Sequence, residues 1–372
     1  MEIYKYMADK QLSPFEEKLN NFVINHFTRI SFVDKMMFVH HLQIMTKAGL
    51  SIITSLKILS EETENKRLQK IIGEIKAEVE KGQQLSTALN KYPSVFPPVY
   101  VSMIGAGEIA GKMEEALSEV STQMKKSHDL MSKVRGAMIY PAVIFTAMVG
   151  VALFVVLYIM PKILVMFEET NATLPLPTKM LIFITNFAQN YWHVTIAVIA
   201  LLVYIFIRAM KKPTFKRTIH SILLKLPIAG IIIKKINLAS FTLTLCSLLR
   251  STIPIIQAVD ISSDVLGNVL YKEKLKEASE SLKKGVNLSD VLRKDPNIFP
   301  PMVTEMIMVG EQTGNIEKML GELSEYYNGE VSETMNNFTS IIEPVIILLL
   351  GIAVAGVAMA VIMPMYALTE SI

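Results

Sequence analysis

The sequence predicts an all-α membrane protein, with two homologous cytoplasmic helical bundles of about six helices each and three transmembrane helices. Three observations predict it. Of 372 residues, 51% are hydrophobic and only 19% are charged, where soluble domains carry about 25% charge. The apolar excess is gathered into three uncharged runs that begin at Met138, Tyr191 and Pro344. The polar segments ahead of the first and third runs are copies of one another.

The copying is read without a gap. Gly82-Gln-Gln-Leu-Ser-Thr-Ala-Leu89 aligns with Gly285-Val-Asn-Leu-Ser-Asp-Val-Leu292, Phe96-Pro97-Pro98 with Phe299-Pro300-Pro301, and Gly107-Glu108-Ile-Ala-Gly111 with Gly310-Glu311-Gln-Thr-Gly314, all at an offset of 203 residues. The offset also joins Phe38 to Phe241, Leu42 to Leu245 and Pro141 to Pro344. Between 82 and 113, 14 of 32 positions are identical, where chance gives about two. The segment 1–30 stands before the first bundle, 31–137, and the first span, 138–160. An external loop, 161–190, a second span, 191–207, and a basic linker, 208–233, lead to the second bundle, 234–340, the third span, 341–363, and an external tail, 364–372. Two copies with one span each would face opposite sides of the membrane; the unduplicated middle span returns both to one side.

Within a copy the periodicity is helical. Ser31 with Asp34 three residues on reads as a helix start, Gly49 as its end and Ser51 as the next start. Leu68, Ile71, Ile72, Ile75 and Val79 trace one buried helical face, answered by Tyr271, Leu275, Ala278 and Leu282. Gly82 and Gly285 stop these helices, and the Phe-Pro-Pro triplets open new ones with proline in the first turn. Gly111 and Gly314 suit a tight turn between packed helices. Pro141 and Pro344 sit near the membrane boundary, where proline kinks a helix.

Charge sets the orientation. Arg208, Lys211, Lys212, Lys216, Arg217, Lys225, Lys234 and Lys235 follow the second run with no acid among them. The positive-inside bias puts the N-terminus and both bundles in the cytoplasm and the C-terminus outside. Charges such as Glu16, Glu17 and Lys18 interrupt the first 30 residues, so no cleavable signal peptide is expected. With 37 basic and 34 acidic residues, nothing favours a nucleic-acid partner; the basic run suits phospholipid headgroups.

Little chemistry is visible. The single cysteine, Cys246, excludes an internal disulfide and reads as a buried thiol, and the six histidines have no ligand spacing. The stretch from Ala106 to Lys112 resembles a phosphate-binding loop, but Met113 stands where the metal-binding hydroxyl belongs and Asn315 replaces the lysine in the second copy. No catalytic, cofactor or metal residues are expected. Glu108 and Glu311 are the polar residues to single out. They read as helix-terminal carboxylates accepting backbone N–H bonds, with a partner contact or a weak Ca²⁺ site as alternatives. The span centres lack charge, which argues against a pump or channel. The interaction motif candidates are Gly82, Gly107, Glu108, Gly111 and Pro141, with their counterparts Gly285, Gly310, Glu311, Gly314 and Pro344.

The doubled pattern of Ala48-Gly49-Leu50, Gly82-x-x-Leu85-Ser86, Phe96-Pro97, Gly107-Glu108-x-x-Gly111 and Tyr140-Pro141 resembles the type II secretion system F domain family. The resemblance runs over about residues 31–368, including Leu174-Pro175-Leu176-Pro177 and Met363-Pro364-Met365-Tyr366. It departs at Ser251-Thr252-Ile253, which replaces the Ala-Gly-Leu of the first copy, and in the shorter stretch before residue 31. The resemblance implies a non-enzymatic platform of a type IV pilus-like machine in the bacterial inner membrane. Its implied partners are a cytoplasmic hexameric assembly ATPase, a retraction ATPase, pilin or pseudopilin subunits, other membrane assembly proteins and the lipid bilayer, with a homo-oligomeric state in which a dimer is favoured. The implied alternatives are the platform of a type II secretion or competence pseudopilus and, more remotely, a transporter with parallel repeats.

Overall fold

The computed structural model describes residues 29–159, 161 and 191–370. Most of the expected external loop and of the segment 1–30 lies outside these residues. The first copy runs α1 (Phe32–Lys47), α2 (Ile52–Glu62), α3 (Lys66–Glu80), α4 (Leu85–Asn90), α5 (Pro98–Ile109) and α6 (Met113–Phe154). Helix α6 passes into a π-helical turn, Val155–Ile159. Then come α7 (Trp192–Met210) and α8 (Pro213–Lys225). The second copy repeats the order as α9 (Ala229–Arg250), α10 (Ile255–Val265), α11 (Val269–Leu282), α12 (Leu288–Leu292), α13 (Pro301–Thr313) and α14 (Ile316–Glu370). No strand occurs among the described residues.

Local chemistry explains the helix limits. Ser31 and Asp34 form a reciprocal capping box on α1, and Ser51 Oγ accepts from the Thr54 N–H on α2. Asn65 and Asn268 cap α3 and α11 in the same manner. Proline stands first in α5 and α13, where its missing N–H costs nothing. Gly82 and Gly285, with φ of +88° and +81°, end α3 and α11 in a conformation that side chains resist.

The chain divides into two compact units. One joins Asn237–Tyr326 to the described chain up to Asp129, so most of both copies belong to a single body. Its core holds Leu42, Leu56, Ile72, Ile75, Leu89 and Met103 from the first copy, and Phe241, Tyr271, Leu275, Phe299 and Ile307 from the second. Phe299 meets both Phe241 and Tyr271 edge-on, and the Tyr271 hydroxyl donates to the Ile298 carbonyl at 2.9 Å.

The other unit comprises Leu130–Ile236 and Tyr327–Ile372. Lys133 Nζ donates to Ser332 Oγ at 2.8 Å, and Lys235 pairs with Glu330 at 2.5 Å while donating to Thr334. Beyond these ties, apolar residues such as Phe145, Val151, Leu202, Phe206, Ile347 and Leu348 are exposed on the protein, as lipid-facing helices require. Pro141 and Pro344 lie inside α6 and α14, and each removes one i→i−4 hydrogen bond. Helix α14 continues through Pro364 to Glu370, so the expected tail begins within the helix. The expected basic linker contains α8 and the start of α9.

Among the described residues, Met113–Ile159, Ala229–Arg250 and Ile316–Gly356 are long and apolar enough to cross a membrane by length and composition. The most apolar window of the middle segment is 61% buried by protein, against 6% and 0% for the others. That segment is α9, a core helix with Asn237, Thr242, Thr244 and Ser247 buried along it. It serves the bundle rather than the bilayer. The middle span read from the sequence falls instead on α7, whose residues from Leu201 to Ile207 are all exposed.

Candidate functional site

Glu108 and Glu311 tie each bundle together in the same way. Glu108 lies near the end of α5, and its carboxylate accepts from the Leu85 N–H at 2.6 Å, the Ser86 N–H at 3.1 Å and the Ser86 hydroxyl at 2.7 Å. Glu311 accepts from Leu288 N–H at 2.6 Å, Ser289 N–H at 3.2 Å and the Ser289 hydroxyl. The recipients are the first turns of α4 and α12, six and five residues long, whose own N-cap residues Gln84 and Asn287 make no side-chain cap. Helices this short are unstable alone. A carboxylate from a neighbouring helix satisfies their open N–H groups and faces the positive end of their dipoles.

The glycines around the glutamates do two different jobs. A Cβ on Gly107 would lie 2.2 Å from Ala116 Cβ, and one on Gly310 would lie 2.7 Å from Ile316 Cα. Glycine here permits α5 against α6, and α13 against α14, to cross in near contact. Gly111 and Gly314 have open space around them but share a φ of +67°, so the turn conformation selects glycine. The stretch resembling a phosphate loop is thus a helix, a left-handed turn and a helix, with Lys112 paired to Glu115 at 3.2 Å. Among the described residues, no group of three or more His, Cys, Asp or Glu side chains converges as metal ligands.

The two copies meet along a polar seam that sequence reading did not find. Gln123 on α6 is buried, donating to Thr244 Oγ1 at 3.2 Å and accepting from Ser247 Oγ at 2.9 Å, both on α9. Beside it, Glu119 and Arg250 line one small cavity with Gly107 and Lys112. A larger groove, about 590 Å³, separates Ser86, Val101 and Ala106 of the first copy from Thr252, Ile253 and Gln257 of the second. Thr252 has φ +60° and occupies the place of Gly49, φ +86°. A β-branched residue there is strained. Two polar residues three apart on α9 were a visible signal of a second partner for that helix. Their partner, Gln123, lies more than 120 residues away.

The electrostatics of this body are those of burial. Cys246 is pushed up to about 11, mainly by burial, and Tyr100 to about 12 for the same reason. Neither has the lowered pKa of an activated thiol or phenol.

The sequence profile described as Type II secretion system (T2SS), protein F matches residues 38–161 and again 241–364. The two matches stand at the offset of the internal repeat. Among relatives, a type IV pilus assembly protein PilC of Myxococcus xanthus is 31% identical over 340 residues, 91% of this chain and 81% of the relative. A PilC of Thermus thermophilus is 32% identical over 333 residues, 90% of this chain and 82% of the relative. A type II secretion system protein F of Vibrio cholerae is 30% identical over 336 residues, 90% and 82%. With both copies matched in order and these relatives matched over most of their length, the chain belongs to the type II secretion system protein F family.

Proposed function

We propose that this chain is the inner-membrane platform of a type IV pilus-like assembly machine, coupling a cytoplasmic ATPase to the insertion of pilin subunits into a fiber. The observation that carries the reading is the duplicated bundle held by glutamate clasps and left-handed glycine turns, with both copies packed in one compact unit. In this reading both bundles face the cytoplasm, spans 138–160, 191–207 and 341–363 cross the bilayer, and the bundles transmit movement to pilins through α6 and α14. The work is mechanical and needs no active site in this chain. A dimer or larger homo-oligomer fits the role.

The experiment compares Lys112→Ala, Gly111→Val and Gly314→Val for chain level in the membrane, ATPase co-purification and surface fibers. Lys112→Ala should leave fibers nearly intact, while the glycine variants reduce both co-purification and fibers. Loss of fibers and of ATP binding with Lys112→Ala at normal chain level overturns the platform reading in favour of an enzyme. Orientation is checked with single cysteines in a Cys246→Ser background. Asn171→Cys should react with an impermeant thiol reagent in intact cells, and Gln83→Cys or Asn287→Cys should not.

A second reading, the platform of a type II secretion or competence pseudopilus, is favoured by the relative named protein F at comparable identity. Deleting the gene separates the readings: loss of surface fibers supports the first, and loss of exoprotein release or of DNA uptake supports the second.

A further inference from the structure

The seam between the copies joins unlike faces. The first copy contributes the α6 face of Glu119 and Gln123; the second contributes the α9 face of Thr244, Ser247 and Arg250. A head-to-tail contact of this kind uses one face of each copy and leaves its complement over. On the first copy the leftover face is on α1, where His41, Ile44 and Lys47 hold the positions of Thr244, Ser247 and Arg250. On the second copy it is on α14, where Glu322 and Tyr326 hold the positions of Glu119 and Gln123. All five residues are exposed.

Those faces keep the complementarity of the seam. Glu322 and Lys47 repeat the signs of Glu119 and Arg250 at the same places. The hydrogen-bonded pair Gln123 and Ser247 is replaced by Tyr326 and Ile44, which expose 44% and 48% of their surface. Val309, in the place of the groove-lining Ala106, is likewise 44% exposed. An aromatic and an aliphatic residue beside a charge pair are the makings of a contact between separate chains, which lack the tether that joins the two copies in cis.

We propose that the α14 face of one chain docks on the α1 face of a second copy of this chain, repeating in trans the seam that joins the two copies. Such a contact either closes a ring, whose smallest form is a pair of chains docked reciprocally, or extends a row. It stands apart from the choice of fiber, since it uses only the geometry of the duplicated body.

The test uses the full chain in membranes with Cys246→Ser. Two differently tagged versions, one with Ile44→Cys and one with Tyr326→Cys, are co-expressed and treated with a short bis-maleimide cross-linker. The equivalent Ser247 and Gln123 meet through a hydrogen bond of 2.9 Å at the end of the glutamine side chain, so a short bis-maleimide, which reaches farther than a disulfide, joins cysteines at these places. Dimers carrying both tags are expected, with none from either variant expressed alone. The pair Lys47→Cys and Glu322→Cys should behave alike, which guards against one variant failing to fold. Lys47→Glu should lower the 44–326 cross-link roughly fivefold, and Glu322→Lys in the partner should restore it. Absence of mixed dimers from both pairs, with both chains present in the membrane, overturns the proposal. So do same-site dimers from a single variant, which would show that like faces meet.

Discussion

Helices α1 and α9 hold the same place in the two copies and have different surroundings. Helix α1 buries Phe38, Val39 and Leu42 along one face and exposes His40, His41 and Ile44 on the other. From Phe241 to Leu248, every residue of α9 is buried. The difference is the first copy itself, which lies on the side of α9 whose counterpart on α1 is open. Duplication gave each copy the same internal skeleton, and the seam then divided their surfaces into one that is covered and one that is presented. Features inside a copy should therefore respond equally to mutation in both, and features at the seam should not.

The largest effect is expected where the copies agree. Gly107→Val and Gly310→Val each force a side chain into a helix crossing with no room for a Cβ. Each should destabilise by about 3 kcal/mol or more, read as loss of chain from the membrane and a lower unfolding temperature in detergent. A tolerated Gly310→Val beside a lethal Gly107→Val would break the equivalence. Glu108→Gln and Glu311→Gln should each cost about 2 kcal/mol, because one of the two accepting oxygens becomes an NH2 group set against a hydrogen-bond donor and the charge is lost. Denaturant midpoints of the two variants should match.

At the seam the copies should part. Gln123→Leu leaves the buried Thr244 and Ser247 hydroxyls to bond back to their own helix, a cost of about 2 kcal/mol. Tyr326→Leu, at the equivalent exposed position, should cost less than half as much in the isolated chain. Comparable losses would mean that α14 is covered too. The sign itself should reverse at the turns: Thr252→Gly relieves a left-handed φ and should stabilise by roughly 1 kcal/mol, whereas Gly49→Thr should destabilise by about as much.

The smallest effect concerns Cys246. Its pKa lies near 11 against an ordinary 9.0, so at pH 8 its thiolate fraction is about 100-fold lower than that of a free thiol. Alkylation should be slowed at least that much, while Gln43→Cys on α1, half-buried at the equivalent position, should react far faster. A raised pKa means that the folded chain holds this proton more tightly than the unfolded one. The stabilisation is therefore present below about pH 9 and lost as pH rises through 11. Unfolding monitored across that window checks the sign.

Local and periodic information was legible from the residues alone. The 203-residue offset, the helical faces, the capping Ser31 and Ser51, the glycine stops and the apolar runs all depend on neighbours within a turn or two of helix, or on self-comparison. They led to six helices per copy and to the glycines and glutamates worth watching. Sequence also marked Glu108 as a carboxylate for backbone N–H groups, but not that those groups belong to α4, about 22 residues earlier in the chain. Nor could it tell that Gly107 answers a steric contact while Gly111 answers a torsion, since both read simply as glycine. Only the tertiary structure decided that the copies pack as one body, that Gln123 reaches Thr244 and Ser247, that Thr252 takes the conformation of a glycine and that α9 is core rather than span. The physical reason is that burial of a polar group, the identity of its partner and the strain a residue bears are set by atoms far away in sequence, whereas helix propensity, capping and apolar periodicity are written within a few residues.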